Sequence, residues 1–590
     1  MMPFEPAEFR RTYMRLSRAF AGAVLFVMCA AAHPVSAQDS VMFRGSPAHT
    51  GEATASIKLP LAMSWRYVTG RPITGNNLAS PIVVGTATQQ PMVYFGARDI
   101  LAALDLNTGE GKWFYPANGS IGLLGKTGTI RGTPVYADGI VYVVATDGNL
   151  YAINADTGAL LWHVQAGGAI NSSPILVDGT LYFGADDGGL YAVDAKTGEA
   201  VHPPAPLFQA QDSIVGSPAY ADGMLFFISR DQSAYAIDLA KLMALQPGRS
   251  TARAVKWRYS MSVSGIMASP VVAGGYVYLV DGADLVCLTA SRGRIRWRYS
   301  ADRAITGTPA VTDQGIFFGT KNDDIRCINS QGRLVWTAKM AATAYSSPTV
   351  VRLEGMTHPS PEGPSAPPEP AYGVVVGSNR GFVYVFDTEP MPGTQDGKLL
   401  WDYRIRAQSL TATSTPTVGA TTTQGLYANV MASPVVVNGA IYVLTDDGTL
   451  SCFRSDEADA AAPLVFGEMP ARGSEMSGAL PMWFAAYVYD EGSGINPDSL
   501  DFRLDGKTLN GFAYDEYRGL VYCRLGGKDT TSGASKRTVA EPMKPLADGR
   551  HTVTLQVADW KGNKEEWTWT FVVDNSLPPS RTRIETPSPQ

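Results

Sequence analysis

The sequence has few residues of the types that build metal sites and disulfide frameworks. Its 590 residues include only 5 cysteines and 6 histidines, and the histidines are scattered without the spacing of zinc ligands. The net charge is −6 and there is no long basic run, which argues against nucleic acid or an anionic membrane as the main partner. Beyond residue 32 no apolar run is long enough to span a membrane.

The first residues have the features of an export signal. Residues 20–32 form an apolar stretch too short to cross a bilayer, and Val35-Ser36-Ala37 fits a cleavage site of small residues. We therefore predict a signal peptide over residues 1–37 and an exported protein, periplasmic or extracellular. The Arg10-Arg11 pair leaves general and twin-arginine export both open, and Met28 makes Cys29 a poor lipidation site. Four arginines form the positive segment that precedes the apolar stretch: Arg10, Arg11, Arg15 and Arg18.

An internal repeat dominates the rest of the chain. One unit runs from Thr133 to Trp162, and the next runs from Ser173 to Gly198. Each has four short apolar segments separated by Asp-Gly and Thr-Gly pairs, and Asp-Gly favours tight turns because both residues tolerate positive φ. Four short strands per repeat are typical of a β-propeller blade.

Two markers count the repeats independently. A Ser/Thr-Pro pair opens each first strand, and a small residue recurs in each third strand. The prolines are Pro81, Pro134, Pro174, Pro218, Pro270, Pro309, Pro348 and Pro434. The small residues are Ala103, Ala152, Ala192, Ala236, Cys287, Cys327, Val385 and Cys452. Both markers occur eight times, so the sequence predicts an all-β fold with an eight-bladed propeller over residues 38–460.

The outer strands predict how the ring closes. Most fourth strands carry a tryptophan, at Trp113, Trp162, Trp257, Trp297, Trp336 and Trp401. The last repeat lacks one, whereas Trp65 precedes the first complete repeat. We predict that the strand around Trp65 is the outer strand of the last blade, beside Cys452, which removes an exposed edge. The three third-strand cysteines lie where four other repeats have alanine, so we expect buried, unpaired thiols.

The repeat resembles that of a known superfamily. The pattern Ala-x-Asp-x-x-Thr-Gly-x-x-x-Trp, with one residue's stretch at Ala102–Trp113, is similar to the pyrroloquinoline-quinone (PQQ) propeller repeat, and so is Met42–Gly51. The resemblance covers Met42–Phe453 and implies the propeller fold. The superfamily includes quinoprotein alcohol dehydrogenases and the propeller lipoprotein of the outer-membrane β-barrel assembly machine. The resemblance therefore does not choose between enzyme and scaffold.

A different pattern follows the propeller. Residues 461–480 are predicted to be a linker, and residues 481–575 a β-sandwich with alternating strands at Met482–Tyr489 and His551–Ala558. The run from Leu546 to Asn563 resembles bacterial immunoglobulin-like domains, which usually act as spacers or adhesive units. Residues 576–590 are predicted to be a disordered tail, and Met356–Ala371 a protruding loop in the seventh repeat.

The resemblance to quinoproteins can be tested on the residues. In those enzymes the quinone lies in the funnel on a tryptophan floor, beneath a disulfide of adjacent cysteines, with Ca²⁺ held by carboxylate and amide oxygens. No two cysteines are adjacent here. The residues before each Ser/Thr-Pro, expected to line the funnel, include Arg131 and Tyr345 but no carboxylate. We therefore predict no catalytic, cofactor-binding or metal-binding residue, and no cofactor.

The sequence leaves one possible cation site undecided in the second domain. Asp490, Glu491, Asp559 and Asn563 lie in two predicted turns and would hold Ca²⁺ if the turns share one end; ordinary turn roles are favoured. The sequence as a whole favours a non-catalytic exported scaffold that binds a protein or a glycan of the cell envelope. The alternative is a PQQ-dependent dehydrogenase, which a deep funnel with convergent acids would favour.

Overall fold

Strands account for most of the regular structure. The computed structural model describes residues 39–73, 79–85, 90–122, 128–201, 206–245, 251–263, 268–360, 366–407, 427–509, 511–526 and 544–579. Its helical segments are one short α-helix, Leu239–Met243, and 3-10 turns at Phe43–Gly45, Thr251–Ala254 and Pro497–Ser499. In this described part of the chain, no helix has the length and apolarity needed to cross a membrane. The fold is all-β, as predicted.

The described residues between 52 and 454 form eight sheets, which we number I to VIII in chain order. β1 (Glu52–Ile57) and β2 (Ala62–Val68) come first in the chain. Sheet I consists of β3 (Ile82–Val84), β4 (Met92–Ala97), β5 (Ile100–Asp105) and β6 (Gly111–Tyr115); sheet II of β7 (Val135–Ala137), β8 (Ile140–Val144), β9 (Asn149–Asn154) and β10 (Leu160–Gln165); sheet III of β11 (Ile175–Val177), β12 (Thr180–Gly184), β13 (Gly189–Asp194) and β14 (Phe208–Gln209); sheet IV of β15 (Ala219–Ala221), β16 (Met224–Ser229), β17 (Ser233–Asp238) and β18 (Val255–Ser260).

The other four sheets repeat this antiparallel order. Sheet V consists of β19 (Val271–Ala273), β20 (Tyr276–Asp281), β21 (Asp284–Thr289) and β22 (Ile295–Ser300); sheet VI of β23 (Ile305–Thr312), β24 (Gly315–Thr320), β25 (Asp324–Ile328) and β26 (Leu334–Lys339); sheet VII of β27 (Thr349–His358), β28 (Glu369–Gly377), β29 (Phe382–Pro390) and β30 (Gly397–Arg404); sheet VIII of β31 (Val435–Val437), β32 (Ala440–Leu444) and β33 (Thr449–Arg454). β1 joins sheet VII beside β27 in parallel, and β2 joins sheet VIII beside β33. Consecutive four-stranded antiparallel sheets of this kind are typical of β-propeller blades.

The predicted closing strand is confirmed. β2 pairs antiparallel with β33, and Trp65 lies opposite Cys452. The Trp65 indole N–H donates to the carbonyl of Leu106 in sheet I, 3.2 Å away. Because β2 comes from the N-terminal side of sheet I and pairs with the last sheet, the two ends of the propeller are joined by main-chain hydrogen bonds.

The Thr-Gly turns and the tryptophans fit together between sheets. The Trp113 indole N–H of sheet I donates to the carbonyl of Ala155 in sheet II, 2.9 Å away. Gly158 in the same turn has φ of +72°, and a Cβ there would lie 2.7 Å from the Trp113 ring. Glycine is therefore required both by the backbone and by the close approach of the neighbouring ring. This contact explains why the Thr-Gly and Trp markers recur together.

A circle of hydrogen bonds joins the inner strands of all eight sheets. The residue before each marker proline donates its backbone N–H to the hydroxyl oxygen of its counterpart in the next sheet, at 2.9–3.2 Å. In order, the circle runs through Ser80, Thr133, Ser173, Ser217, Ser269, Thr308, Ser347, Ser433 and back to Ser80. At this position every sheet thus supplies a hydroxyl oxygen that accepts a buried backbone N–H.

The cysteine prediction is also confirmed. Cys287, Cys327 and Cys452 are buried and unpaired, and Cys523 in the second domain is buried too. Burial raises the pKa of the Cys287 and Cys327 thiols to about 12 and that of Cys452 to about 11. These residues fill space as small apolar side chains.

Two sheets follow the propeller and share one core. The first contains β34 (Leu464–Met469), β36 (Met482–Tyr489), β40 (Leu520–Leu525) and β39 (Ala513–Asp515); the second contains β35 (Glu475–Met476), β42 (Lys564–Val573), β41 (Gly549–Ala558), β37 (Asp501–Leu504) and β38 (Lys507–Thr508). Phe484, Phe502, Trp569 and Phe571 are almost fully buried between them. The segment 461–480, predicted to be a linker, contains β34 and β35. Pro470 and Gly473 interrupt the sequence pattern of these two short strands, which is why the composition indicated a linker.

Two further details differ from expectation. The predicted loop over Met356–Ala371 is largely a continued hairpin, because Thr357 pairs with Pro370 and His358 with Glu369. In sheet III, whose repeat has no tryptophan, Ala200 forms a single bridge to Val193, and the outer strand is β14, which pairs with Gly189 and Leu190.

Candidate functional site

The N-terminal segment, residues 40–51, runs along the inner strands of the propeller. It forms main-chain hydrogen bonds of 2.8–2.9 Å with six sheets, I, II, IV, V, VI and VII. In every case the partner in the sheet lies two residues after the marker proline. The N–H donors are Val83 to Ser40, Tyr136 to Val41, Tyr220 to Pro47, Val272 to Ala48, Val311 to Thr50 and Val350 to Gly51. The inner edges of these sheets, which would otherwise face an open channel, are therefore paired with the protein's own chain.

Arg44 crosses the channel. Its backbone lies between Val41, bound to sheet II, and Pro47, bound to sheet IV. Its guanidinium donates to the carbonyls of Pro348 in sheet VII and Pro309 in sheet VI, at 2.9 and 3.0 Å. No ion pair to Arg44 occurs within the described ranges, and burial lowers its pKa to about 9. The Arg44 guanidinium thus connects the N-terminal segment to sheets VI and VII.

His49 and Gly51 fix the far end of the segment. His49 is fully buried, and its Nδ1 lies 3.2 Å from the Pro270 carbonyl, so Nδ1 carries the hydrogen. Burial is the main cause that lowers the His49 pKa to about 3, and the Arg44 charge acts in the same direction. The imidazole is therefore neutral at neutral pH. Gly51 has φ of +74°, and a Cβ there would lie 1.7 Å from the Arg44 guanidinium.

A cavity of about 570 Å³ lies between the N-terminal segment and the inner strands of sheets VII, VIII and I. Hydroxyls of Ser80, Thr349 and Ser433 line it together with Arg44 and Glu52. The volume suits a small molecule. Its lining contains no cysteine and no histidine and carries both signs of charge.

The predicted funnel residues are only partly as expected. Asn171, just before a Ser-Pro pair, donates from its side chain to Asp186 at 3.0 Å. The turn between the second and third strands therefore contributes an acid to this mouth, which the inner-strand residues alone did not indicate. Ser172 and Ser346 instead satisfy backbone groups of their own sheets, at Gly184 and Gly377. Other expected funnel residues, 77, 78 and 267, lie outside the described residues.

Three acids meet where the second domain joins the propeller. Carboxylate oxygens of Asp459, Asp490 and Asp559 lie within 4.8 Å of one another. Asn563 bridges two of the three, because its side-chain amide donates to Asp559 and to the Asp459 carbonyl, at 2.7 and 2.9 Å. The two turns that carry Asp490 and Asp559 therefore do share one end. Glu491 is not part of this group, because it pairs with Arg66 of β2 at 2.8 Å.

The three acids also perform the turn roles that the sequence favours. Asp490 accepts the backbone N–H groups of Ser493 and Gly494, at 2.9 and 2.7 Å. Burial, followed by the charges of Asp459 and Asp559, raises the pKa of Asp490 to about 6, although the Gly494 N–H opposes the shift. Asp490 thus changes its protonation state within the mildly acidic range.

The second domain is docked against the outer strands of sheets VII and VIII. The Trp560 indole donates to the buried Asp402 carboxylate at 3.0 Å, and the Tyr403 hydroxyl donates to the Glu491 carbonyl at 2.7 Å. The Met63 N–H of β2 donates to the Gly492 carbonyl at 3.0 Å. Burial and the nearby Glu516 raise the pKa of Asp402 well above its usual range. The domain therefore covers the outer edge of the propeller on this side.

Comparison with known proteins gives one family and several distant relatives. Residues 97–205 and 249–460 match the PQQ-repeat family model described as outer membrane protein assembly factor BamB. BamB of Yersinia pestis is 26% identical over 195 residues, covering 32% of this chain and 42% of that protein. BamB of Escherichia coli K12 is 27% identical over 221 residues, covering 31% and 52%. The chain spans about half the length of these curated relatives.

One solved structure aligns with most of this chain at low sequence identity. A quinohemoprotein alcohol dehydrogenase from Pseudomonas putida shares 12% identity, with 74% of this chain and 83% of that one aligned and a TM-score of 0.45.

Proposed function

We propose, since this chain belongs to the propeller family described as outer membrane protein assembly factor BamB, that it is an exported, non-catalytic scaffold that holds a partner protein during outer-membrane protein assembly. Sheets I to VIII would be the eight blades of one ring. The second domain, an immunoglobulin-like sandwich in this proposal, would act as a spacer on one side of that ring. A protein is favoured over a glycan as partner because the family description concerns the assembly of proteins.

The observation that carries the proposal is the N-terminal segment in the channel. Its main chain pairs with six of the eight sheets, and Arg44 crosses between them. The inner strands of these six sheets are therefore hydrogen-bonded to the protein's own N-terminal segment. The surfaces left for a large partner are the two faces and the outer rim, as expected for a scaffold rather than for an enzyme with a central pocket.

The test combines partner retention with activity. The full-length, epitope-tagged protein is expressed in its native cells, cross-linked in the envelope and purified. We expect the same envelope protein to be recovered in repeated preparations, and outer-membrane protein levels to fall when the gene is deleted. The purified protein, incubated with PQQ and Ca²⁺ and then dialysed, is expected to retain no quinone and to reduce no dye with alcohols or sugars. Stoichiometric retained quinone with dye reduction would establish the dehydrogenase alternative instead.

A further inference from the structure

β22, the outer strand of sheet V, has an open edge. Within the described residues it is hydrogen-bonded to β21 on one side and has no strand on the other. Four of its six residues are exposed, and the Ile295 side chain is 54% exposed. A terminal strand of this kind presents a row of unpaired N–H and C=O groups that can accept another strand.

The outer edges of sheets VI, VII and VIII are covered by the protein itself. The Thr337 N–H of β26 donates to the Gln395 carbonyl at 2.9 Å, so a loop of sheet VII covers the edge of sheet VI. The second domain covers sheets VII and VIII through Asp402 and Met63. The edge of β22 is one that no described element covers.

The surface around β22 is strongly basic in a protein whose net charge is −6. We call this surface the basic rim; it consists of Lys256, Arg258, Arg292, Arg294, Arg296 and Arg298, all exposed. The Arg298 guanidinium donates to the Tyr259 hydroxyl of β18 at 2.7 Å, which makes the rim continuous from sheet V to sheet IV. Arg298 pairs with Asp284, whereas Arg292, Arg294 and Arg296 form no ion pair among the described residues.

The two faces of β22 carry different kinds of side chain. Arg298 faces sheet IV through Tyr259, whereas Trp297 faces sheet VI, where its indole donates to the Ser330 carbonyl at 2.8 Å. Successive side chains of a strand point to opposite faces. Tyr299 therefore shares the face of Trp297, whereas a β-bulge at Arg296 interrupts the alternation between Trp297 and Ile295.

We propose that β22 binds an extended acidic segment of the partner protein as an added strand. The segment would alternate acidic and apolar residues, with its apolar side chains opposite Trp297 and Tyr299 and its carboxylates near Arg294, Arg296 and Arg298. Main-chain hydrogen bonds supply affinity in this mode, and alternate side chains supply specificity. A second copy of this chain is disfavoured because edge-to-edge pairing of two β22 strands sets arginine against arginine. The inference rests on the proposed scaffold function.

The test uses short fluorescent peptides and the full-length protein. One peptide alternates Glu with Val, a second has the same composition with the Glu residues grouped together, and a third alternates Lys with Val. Fluorescence anisotropy is expected to show binding of the first, weaker binding of the second and none of the third. The Arg294→Gln/Arg296→Gln variant should bind the first peptide about tenfold more weakly, the loss of ~1.4 kcal/mol. The matched Arg550→Gln/Lys564→Gln variant, which removes two exposed cations from the second domain, should bind normally.

A backbone measurement separates strand addition from simple charge attraction. Hydrogen exchange of residues 295–300 should slow when the first peptide binds. Equal binding of both acidic peptides, binding without protection of β22, or equal binding to phosphatidylglycerol vesicles would each overturn the inference. Thermal unfolding of both variants checks that they are folded. If the arginine variant still retains the envelope partner, the docking edge fails while the scaffold function stands. If the wild-type protein retains no partner, the scaffold function fails independently of the peptide result.

Discussion

The backbone N–H of Ser433 donates to the hydroxyl oxygen of Ser80, 3.2 Å away, across 353 positions of the chain. This bond completes the circle of hydroxyl acceptors that joins the inner strands. The N–H groups on the circle face the neighbouring sheets, where no strand is available to accept them. A serine or threonine hydroxyl supplies the acceptor, and the following proline has no N–H that would need one.

Removing one hydroxyl from the circle should destabilise the propeller. Ser217 is buried, and its Oγ accepts the Ser173 N–H at 2.9 Å. Ser217→Ala leaves that N–H without an acceptor, which we expect to lower the free energy of unfolding by about 1–3 kcal/mol. Urea unfolding followed by tryptophan fluorescence measures the change. Ser217→Thr retains the hydroxyl and should lie close to wild type; an equal loss in both variants would contradict this role.

Gly51 and Gly45 form a matched pair for testing the N-terminal segment. Both have φ near +75°, but a Cβ at Gly45 meets no atom within 4 Å, whereas one at Gly51 meets the Arg44 guanidinium. Each alanine variant should lose ~1–2 kcal/mol for the left-handed backbone. Gly51→Ala should lose more, because Arg44 must also give up its contacts with Pro309 and Pro348. Thermal unfolding of both variants compares them directly, and equal destabilisation would show that Arg44 does not hold the segment.

The buried thiols should be unreactive in the folded protein. Burial raises the pKa values of Cys287, Cys327 and Cys452 to between about 11 and 12, so the reactive thiolate is scarce at neutral pH. We expect no labelling of these residues by a thiol reagent until denaturant is added. A Gln331→Cys variant, with its new thiol on an exposed turn, should be labelled at once and serves as the control. Rapid labelling of any of the three native cysteines would refute their burial.

Asp490 should make the stability of the domain junction depend on pH. Its folded pKa is about 6, above its ordinary value of 3.8, so the folded state holds a proton that the unfolded state releases. Stability therefore falls as the pH rises from about 4 to about 6. Asp490→Asn should reduce this slope. Asp459→Asn removes one repelling charge, so it should lower the folded pKa of Asp490 and narrow the pH range over which stability falls. Thermal midpoints across this range provide the measurement, and a constant difference between wild type and Asp490→Asn would contradict it.

Repetition explains which features could be predicted from the sequence. The marker prolines, the third-strand residues and the Thr-Gly turns recur at corresponding positions, so each observation was checked by others. The pairing of Trp65 with Cys452 followed from one missing and one extra tryptophan. Trp297 and its counterparts were recognised as markers, although their indole contacts with the next sheet required the structure.

Features that occur only once in the chain could not be confirmed by comparing one repeat with another. The segment from Ser40 to Gly51 has neither a strand nor a helix period, and its pairing with six sheets depends on positions hundreds of residues away. The meeting of Asp459 with Asp490 and Asp559 depends equally on the docking of one domain against the other. β34 was missed because a short strand beside Pro470 has the composition of a linker.

The N-terminal segment has a consequence for the order of folding. Its partners extend from Val83 to Val350, so its binding site does not exist until the seventh sheet has been synthesised and folded. The first described residues are therefore among the last to reach their final positions, a topology of high contact order that slows folding. A chain released before Val350 would have an unpaired inner edge and an unbound leading segment, both exposed to proteases. Completion of the ring is thus also expected to shield the segment Ser40–Gly51 from proteolysis.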